Sequence, residues 1–177
     1  MQLTLQQLLL ILPGARKAPN AIIDALNAAM VRYRIDSPVR AAAFLAQVGH
    51  ESGQLRYLRE IWGPTPAQAR YEGRQDLGNT QPGDGKRFMG RGLIQVTGRA
   101  NYQKAGAALG LPLEDQPELL EQPVHAAMSA AWFWQTHGLN ELADAGQFQT
   151  ITRRINGGLN GQAERVALWE TAKRVLA

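Results

Sequence analysis

A long apolar run that stops abruptly at charged residues constrains this chain more than any other feature. Ser37 and Pro38 supply a helix cap and a first helical position where a missing N–H costs nothing. Val39, Ala42, Ala43, Phe44, Leu45 and Ala46 then spread apolar surface around most of the circumference, which predicts a central, buried helix. It ends in His50-Glu51-Ser52-Gly53. An unpartnered carboxylate is costly to bury, so Glu51 is not explained by packing. Gly53 predicts the stop, because glycine readily takes the left-handed conformation that closes helices.

The next glutamate in the sequence is Glu60. On one unbroken helix it would lie ~13.5 Å along the axis from Glu51 and about half a turn out of phase. A chain reversal at Gly53 instead lets Glu60 face Glu51 across a groove. Two carboxyls placed in that way suit cleavage of a glycosidic bond with inversion. One protonates the leaving oxygen, and the other activates water on the opposite face of the sugar. Glu51 is the candidate acid, expected to hold its proton through partial burial, and Glu60 the candidate base. Asp76 and Asp84, in the loop region that follows, are alternatives for the second carboxylate, and Glu72 is a weaker one. His50 is expected to support Glu51 by a hydrogen bond.

With 177 residues, the chain is long enough for one domain with a real core and too short for two comfortable ones. Lys and Arg number 19 against 15 Asp and Glu, a net charge of +4 that favours an anionic target. Basic residues never run longer than two, and no nucleic-acid motif occurs, so nucleic acid is not the expected partner. There is no cysteine, which excludes disulfides and thiolate metal sites. His50, His125 and His137 lack metal-ligand spacing, and no HExxH, nucleophile elbow or phosphate loop occurs. Neither metal nor cofactor is expected. Leu8 to Leu12 resembles part of a signal core. No basic residue precedes it, however, and Pro13-Gly14 stops it too soon for a secretory or spanning segment. It is read as a buried first helix, with no export signal and no stable membrane insertion.

Helices are expected at 3–12, at 19–33 opened by Pro19, at 66–72 capped by Thr65, from Asn101 through Leu109, and at 114–122. A long apolar helix starts at Pro123, helical patterns follow around 140–144 and 148–155, and a final amphipathic helix spans 162–176. That last helix is expected to bury Ala163, Val166, Ala167, Trp169 or Leu168, and Val175. Trp132 and Trp134 are read as packing residues. Residues 54–90 are dense in turn formers and are expected to be a small mobile lobe, an insertion that forms one wall of a cleft. The glycines around Arg91 predict a close backbone approach, and an extended run would place Gln95 and Thr97 on the side of Leu93.

Four motifs occur in order: His50-Glu51-Ser52-Gly53, Glu60 through Thr65, Gly90-Arg91-Gly92-Leu93-Ile94-Gln95, and Ile155-Asn156-Gly157-Gly158. Together they resemble the chitinase-like glycoside hydrolases of family nineteen, most closely the phage endolysin branch, over nearly the whole chain. The resemblance implies a mainly α, lysozyme-like fold, one catalytic domain over 1–177, two-lobed, with a loop-rich small lobe and a central cleft. It implies Glu51 as general acid and Glu60 as base, although plant chitinases space their two glutamates further apart. Gln95 and Thr97 (usually Ser in plant enzymes) match residues that bind substrate or hold the nucleophilic water. Asn101, Tyr102, Asn156 and, more loosely, Arg165 match substrate-binding positions, and His50 joins them. Plant enzymes also carry disulfides, and this chain carries none.

The implied reaction is hydrolysis of β-1,4 bonds between N-acetylated hexosamines of peptidoglycan by a monomer. The enzyme would be made in the bacterial cytoplasm and released to the wall by a separate holin or lysis system. The alternatives are a chitinase acting on chitin oligomers and a lytic transglycosylase. A wall-binding module without activity is the reading from another class.

Overall fold

Local capping chemistry sets the first helix of the computed structural model, which describes all residues from Met1 to Ala177. Thr4 and Gln7 form a reciprocal capping box at the start of α1 (Leu5–Ile11), and the chain then enters a 3-10 turn over Pro13–Lys17. Helix α2 runs over Ile22–Arg32. It starts three residues later than Pro19 suggests, because Ala21 takes a left-handed conformation (φ 65°) that no helix includes. Helix α3 (Pro38–Glu51) begins as expected, with the Ser37 hydroxyl accepting the Arg40 N–H at 3.3 Å.

Every residue of α3 from Ala41 to Gly49 is buried. Leu12, just after α1, packs so closely on Gly49 that a Cβ there would come within 2.5 Å of its methyl. Helix α10 (Gln162–Leu176) lies along α3, and α7 (Pro123–Thr136) lies along α2. With α8 (Leu139–Asp144) and α9 (Phe148–Asn156) they enclose one large hydrophobic cluster, in which Trp134 meets Phe44 edge to face at 5.3 Å. Trp134 is therefore core, as expected.

A second, smaller cluster gathers Phe88, Tyr102, Ala105, Leu113 and Leu120. The short helices α4 (Pro66–Ala69) and α5 (Asp84–Arg87) and the longer α6 (Arg99–Leu109) belong to this side of the molecule, so its packing extends beyond residue 90. Thr65 caps α4 with a second capping box, to Gln68. The stretch expected as a helix over 114–122 is a 3-10 turn over Pro117–Glu121. The molecule is mainly helical, and its only β-pairing is two isolated bridges, Arg59 with Arg91 and Arg91 with Val96. No helix is long and apolar enough to cross a membrane.

Helix α10 keeps part of its expected face, since Val166, Leu168, Trp169 and Val175 pack against the large cluster, and departs from it at two alanines. Ala163 and Ala167 are exposed, and Arg165 is buried with Ala172 and Leu176. A buried guanidinium needs partners on the opposite helix, and α3 supplies them, as described below.

An ion pair holds the small lobe together. The Asp84 carboxylate, 2% exposed, receives two hydrogen bonds from Arg99, at 2.6 and 2.9 Å. The Arg99 hydrogen bonds hold Asp84 below the usual carboxylate range. Its contribution to stability is thus complete above the unfolded-state value, ~4, and is lost as pH falls through the lower folded-state value. Asp84→Asn should destabilise the protein by ~3 kcal/mol near neutral pH. Denaturant melts of the variant should also lose less stability below about pH 4 than those of the wild type.

Candidate active site

The chain turns back after α3 through three consecutive left-handed residues, Gly53 (φ 57°), Gln54 (φ 61°) and Leu55 (φ 66°). The expected reversal at Gly53 is present, but it also recruits two non-glycine residues, which cost ~1–3 kcal/mol each in such conformations. Specific bonds hold them there. The buried Ser52 hydroxyl donates to the Val48 carbonyl and accepts the Leu55 N–H at 2.8 Å. The Gln54 side chain accepts the Gly14 N–H at 2.5 Å.

Glu51 stands at the last position of α3 with its side chain 19% exposed. Arg165, 1% exposed, donates from Nη2 to Glu51 Oε1 at 2.5 Å and from Nη1 to Gln47 Oε1 at 2.6 Å. Its Nε donates to the Asn160 carbonyl at 3.1 Å, and Gln47 donates in turn to Thr152 at 2.9 Å. Glu51 is thus partly buried, as expected, but the group that bonds it is a guanidinium and not His50. Only Oε1 is taken by Arg165. Arg165, expected as a substrate ligand, has no surface to offer a sugar and acts on Glu51 instead. His50 is likewise not bonded to Glu51. Its Nδ1 pairs with Glu164 Oε2 at 2.9 Å, and its ring lies against Gly161, where any Cβ would clash with it.

After the turn the chain runs antiparallel to residues 90–92. The Gly92 N–H donates to the Leu58 carbonyl at 2.8 Å, and the Glu60 N–H to the Gly90 carbonyl at 2.9 Å. The Glu60 carboxylate accepts the Gly90 N–H at 2.9 Å, with the Tyr71 hydroxyl 3.5 Å away. Burial pushes the Tyr71 hydroxyl above its usual range, and the neighbouring Glu60 charge adds to this, so it stays protonated beside the carboxylate.

Gly90 also touches the glutamine motif. A Cβ at position 90 would lie 2.5 Å from Gln95 Oε1 and 3.2 Å from Thr97 Oγ1. The run from Leu93 to Thr97 is not extended. Gln95 is left-handed (φ 63°) and donates from Nε2 to the Gly92 carbonyl at 3.2 Å. The bridge between Arg91 and Val96 closes this loop and places Gln95 and Thr97 at its surface.

Gln95, Thr97 and Asn101 line one cavity of about 430 Å³, together with Trp132, Phe133 and Ile155. It spans the two lobes, since α6 supplies Asn101 and α7 and α9 supply the others. Trp132 is both a packing residue and part of this lining. Asn156 follows Ile155 and accepts the Asn160 N–H at 3.4 Å, beside the Asn160 carbonyl that receives Arg165. Contacts link Glu60 through Gly90 to Gln95, a separate set links Asn156 through Asn160 and Arg165 to Glu51, and the cavity lined by Gln95 and Ile155 lies between the two sets. A second cavity, about 760 Å³, adjoins Glu60 and Trp62. Glu51 is in the lining of neither.

Tyr102, expected to bind substrate, is fully buried. Its hydroxyl donates to the Met89 carbonyl at 2.5 Å and accepts from Arg91 at 3.0 Å, so it supports the loop from within. The alternative carboxylates have other duties. Asp84 binds Arg99, Asp76 forms an exposed pair with Arg74 at 2.5 Å, and Glu72 accepts the N–H groups of Gly83 and Gly85. Sequence reasoning missed Gln47 and Arg91. Both carried a signal: Gln47 is polar inside an apolar run, and Arg91 is bracketed by glycines.

An all-helical body with a carboxylate at the end of its central helix, a second carboxylate on a chain that turns back from it, and an amide-lined cavity between lobes defines a lysozyme-like glycoside hydrolase. The comparisons with known proteins specify it further. The family model described as chitinase class I matches residues 36–145. A glycosyl hydrolase family 19 domain-containing protein of Haemophilus influenzae is 32% identical over 180 residues, covering 86% of this chain and 88% of that protein. An endochitinase of Arabidopsis thaliana is 42% identical over 118 residues, which is 66% of this chain but only 39% of that protein. Among solved structures, a bacterial family 19 chitinase superposes with a TM-score of 0.79 at 27% identity, covering 100% of this chain and 96% of that one. The chain belongs to glycoside hydrolase family 19.

Two substitutions test the anchoring of the carboxylates. Arg165→Ala leaves Glu51 and Gln47 facing a void and should lower unfolding stability by ~3–5 kcal/mol in denaturant melts. Gly90→Ala meets only the ends of side chains and the Gln95 Cβ, so the fold should survive with a small change in melting temperature. Displacement of Gln95 should nonetheless cut polymer hydrolysis about tenfold or more.

Proposed function

We propose that this chain is an endolysin-type enzyme that hydrolyses β-1,4 bonds between N-acetylated hexosamines of peptidoglycan by single displacement with inversion. The observation that carries this reading is the pair of separately anchored carboxylates, Glu51 held by Arg165 and Glu60 held by the Gly90 N–H. Glu51 is the general acid. Arg165 occupies Oε1, which leaves Oε2 to carry the proton to the leaving oxygen. Glu60, oriented by the Gly90 N–H and facing the Tyr71 hydroxyl, is the general base that takes a proton from the attacking water. Gln95 and Thr97, at the surface next to Gly90, hold that water and the substrate N-acetyl group. Asn101 extends the lining, and Asn156 positions the loop that braces Arg165. In this reading the enzyme acts as a monomer, with no cofactor, and a separate lysis system delivers it to the wall.

A chitinase is the second reading. It is favoured by the 42% identity to a plant endochitinase and the overlay on a bacterial family 19 chitinase. A lytic transglycosylase needs one carboxylate and no activated water, so the anchored Glu60 argues against it. Digestion of purified sacculi and of chitin oligomers, with product masses and the anomer first released, separates the three. Peptidoglycan hydrolysis predicts reducing muramic or glucosamine ends from sacculi and inverted anomers. An anhydro product, 18 Da lighter on composition alone, would overturn the hydrolytic mechanism, and release from chitin only would overturn the substrate. Glu51→Gln and Glu60→Gln should each lower the rate by ~10²–10⁴-fold while leaving the melting temperature close to wild type. Full lysis by the Glu51 variant would remove the assignment of the acid.

A further inference from the structure

The larger cavity, about 760 Å³, opens beside Glu60 and Trp62, and its lining carries more basic than acidic side chains. Arg56, Arg59 and Lys86 all contribute to it, against two carboxylates, Glu60 and Glu121. The carboxylates offset only part of this charge. Glu121 Oε1 is shared between the buried Arg91 at 2.8 Å and Arg59 at 3.7 Å. Glu60 accepts a backbone N–H and forms no ion pair with any of the three cations. Arg56 donates to the Gly53 carbonyl and lies over the Tyr57 ring, with no carboxylate partner. Lys86 is exposed, at the end of α5. The cavity beside Gln95 presents mainly amides, hydroxyls and aromatic faces, with Lys104 as its one Lys or Arg and with His137, a lining that suits an N-acetylated sugar.

We infer that Arg56, Arg59 and Lys86 form a subsite for a carboxylate borne by the polymer, next to the sugar whose bond is cut. The inference rests on the peptidoglycan reading for its natural ligand. Chitin carries no anionic group, whereas peptidoglycan carries carboxylates on its peptide stems and, once the stems are removed, on its lactyl ethers. Two unpaired cations, Arg56 and Lys86, with Arg59, which shares Glu121 with Arg91, would select the acidic polymer over the neutral one. They would also set the register, so that the carboxylate-bearing residue always falls on the same side of the scissile bond. Because all three are surface residues, the attraction should weaken as salt screens it.

The test compares hydrolysis of glycol chitin with that of carboxymethyl chitin, which share a backbone and differ in charge. The wild type should prefer the carboxymethyl polymer at low ionic strength and lose that preference at high salt. The triple variant Arg56→Gln, Arg59→Gln, Lys86→Gln should lower the ratio of the two kcat/KM values about tenfold. Arg59→Lys, which keeps the charge, should leave the ratio near wild type. A wild type without preference, or a triple variant whose two rates fall by the same factor, would overturn the subsite. Intact sacculi and amidase-stripped glycan strands then identify the group recognised. A larger defect on intact walls assigns the stem carboxylate, and a larger defect on stripped strands assigns the lactyl one. If the wild type ignores sacculi yet shows the charge-dependent preference, the subsite stands and the peptidoglycan reading falls. If it lyses sacculi while the ratio does not move, the subsite alone falls.

Discussion

One buried guanidinium organises this molecule. Arg165 reaches from the last helix to Glu51 and Gln47 on the central one, and back to the carbonyl of the loop between α9 and α10. Two helices and one loop thereby share a single planar donor, in the geometry that arginine satisfies and lysine does not, and Gln47 carries the network on to Thr152 of α9. The arrangement explains why a core built largely of alanine and leucine tolerates a glutamine at position 47. The Arg165 guanidinium and both ends of the Gln47 amide find partners in this cluster, so it orients α10 against α3 without leaving the buried guanidinium unpaired. Burying charge in this way adds little net stability over an apolar alternative. Its benefit here is position, because the group being fixed is the carboxylate at the helix end.

The other carboxylate is held differently. Glu60 lies where two segments pair for only a few residues, and the Gly90 amide serves it directly. That amide comes from the same loop that carries Gln95 and Thr97, and the loop is stiffened from beneath by Arg91 and Tyr102. The small lobe thus consists of short helices, capped turns and ion pairs around a modest apolar cluster, with its polar groups doing much of the fixing. The large lobe works through packing. The sugar-sized cavity lies between the two, lined by residues of both.

Much of this was legible in the sequence. The cap at Ser37, the burial of α3, the stop at Gly53, the capping at Thr65 and the bounds of the last helix all follow from local rules whose partners lie a few residues away. Three expectations failed where the deciding partner was distant. The apolar pattern of α10 places Val166, Leu168, Trp169 and Val175 against the core, but it also points Ala163 and Ala167 inward, whereas Arg165 takes the buried position and meets Glu51, 114 residues earlier. Sequence adjacency suggests a bond from His50 to Glu51, yet its partner Glu164 is equally remote. Family likeness puts Tyr102 at the substrate, whereas it is buried and braces the loop. The alternation from Leu93 to Thr97 suggested an extended run, and a left-handed Gln95 makes it a turn.

The contrast between the two anchors has a consequence for how such a chain can diverge. Glu60 depends on a main-chain amide, which every residue but proline possesses, so what limits position 90 is not the tether but the room that Gln95 and Thr97 leave there. Glu51 depends on a side chain far away in the gene, and one base change there can remove it. Lineages descended from this ancestor should keep the smallest residue at position 90 for the sake of Gln95 and not of the tether, while positions 51 and 165 remain bound to each other's history.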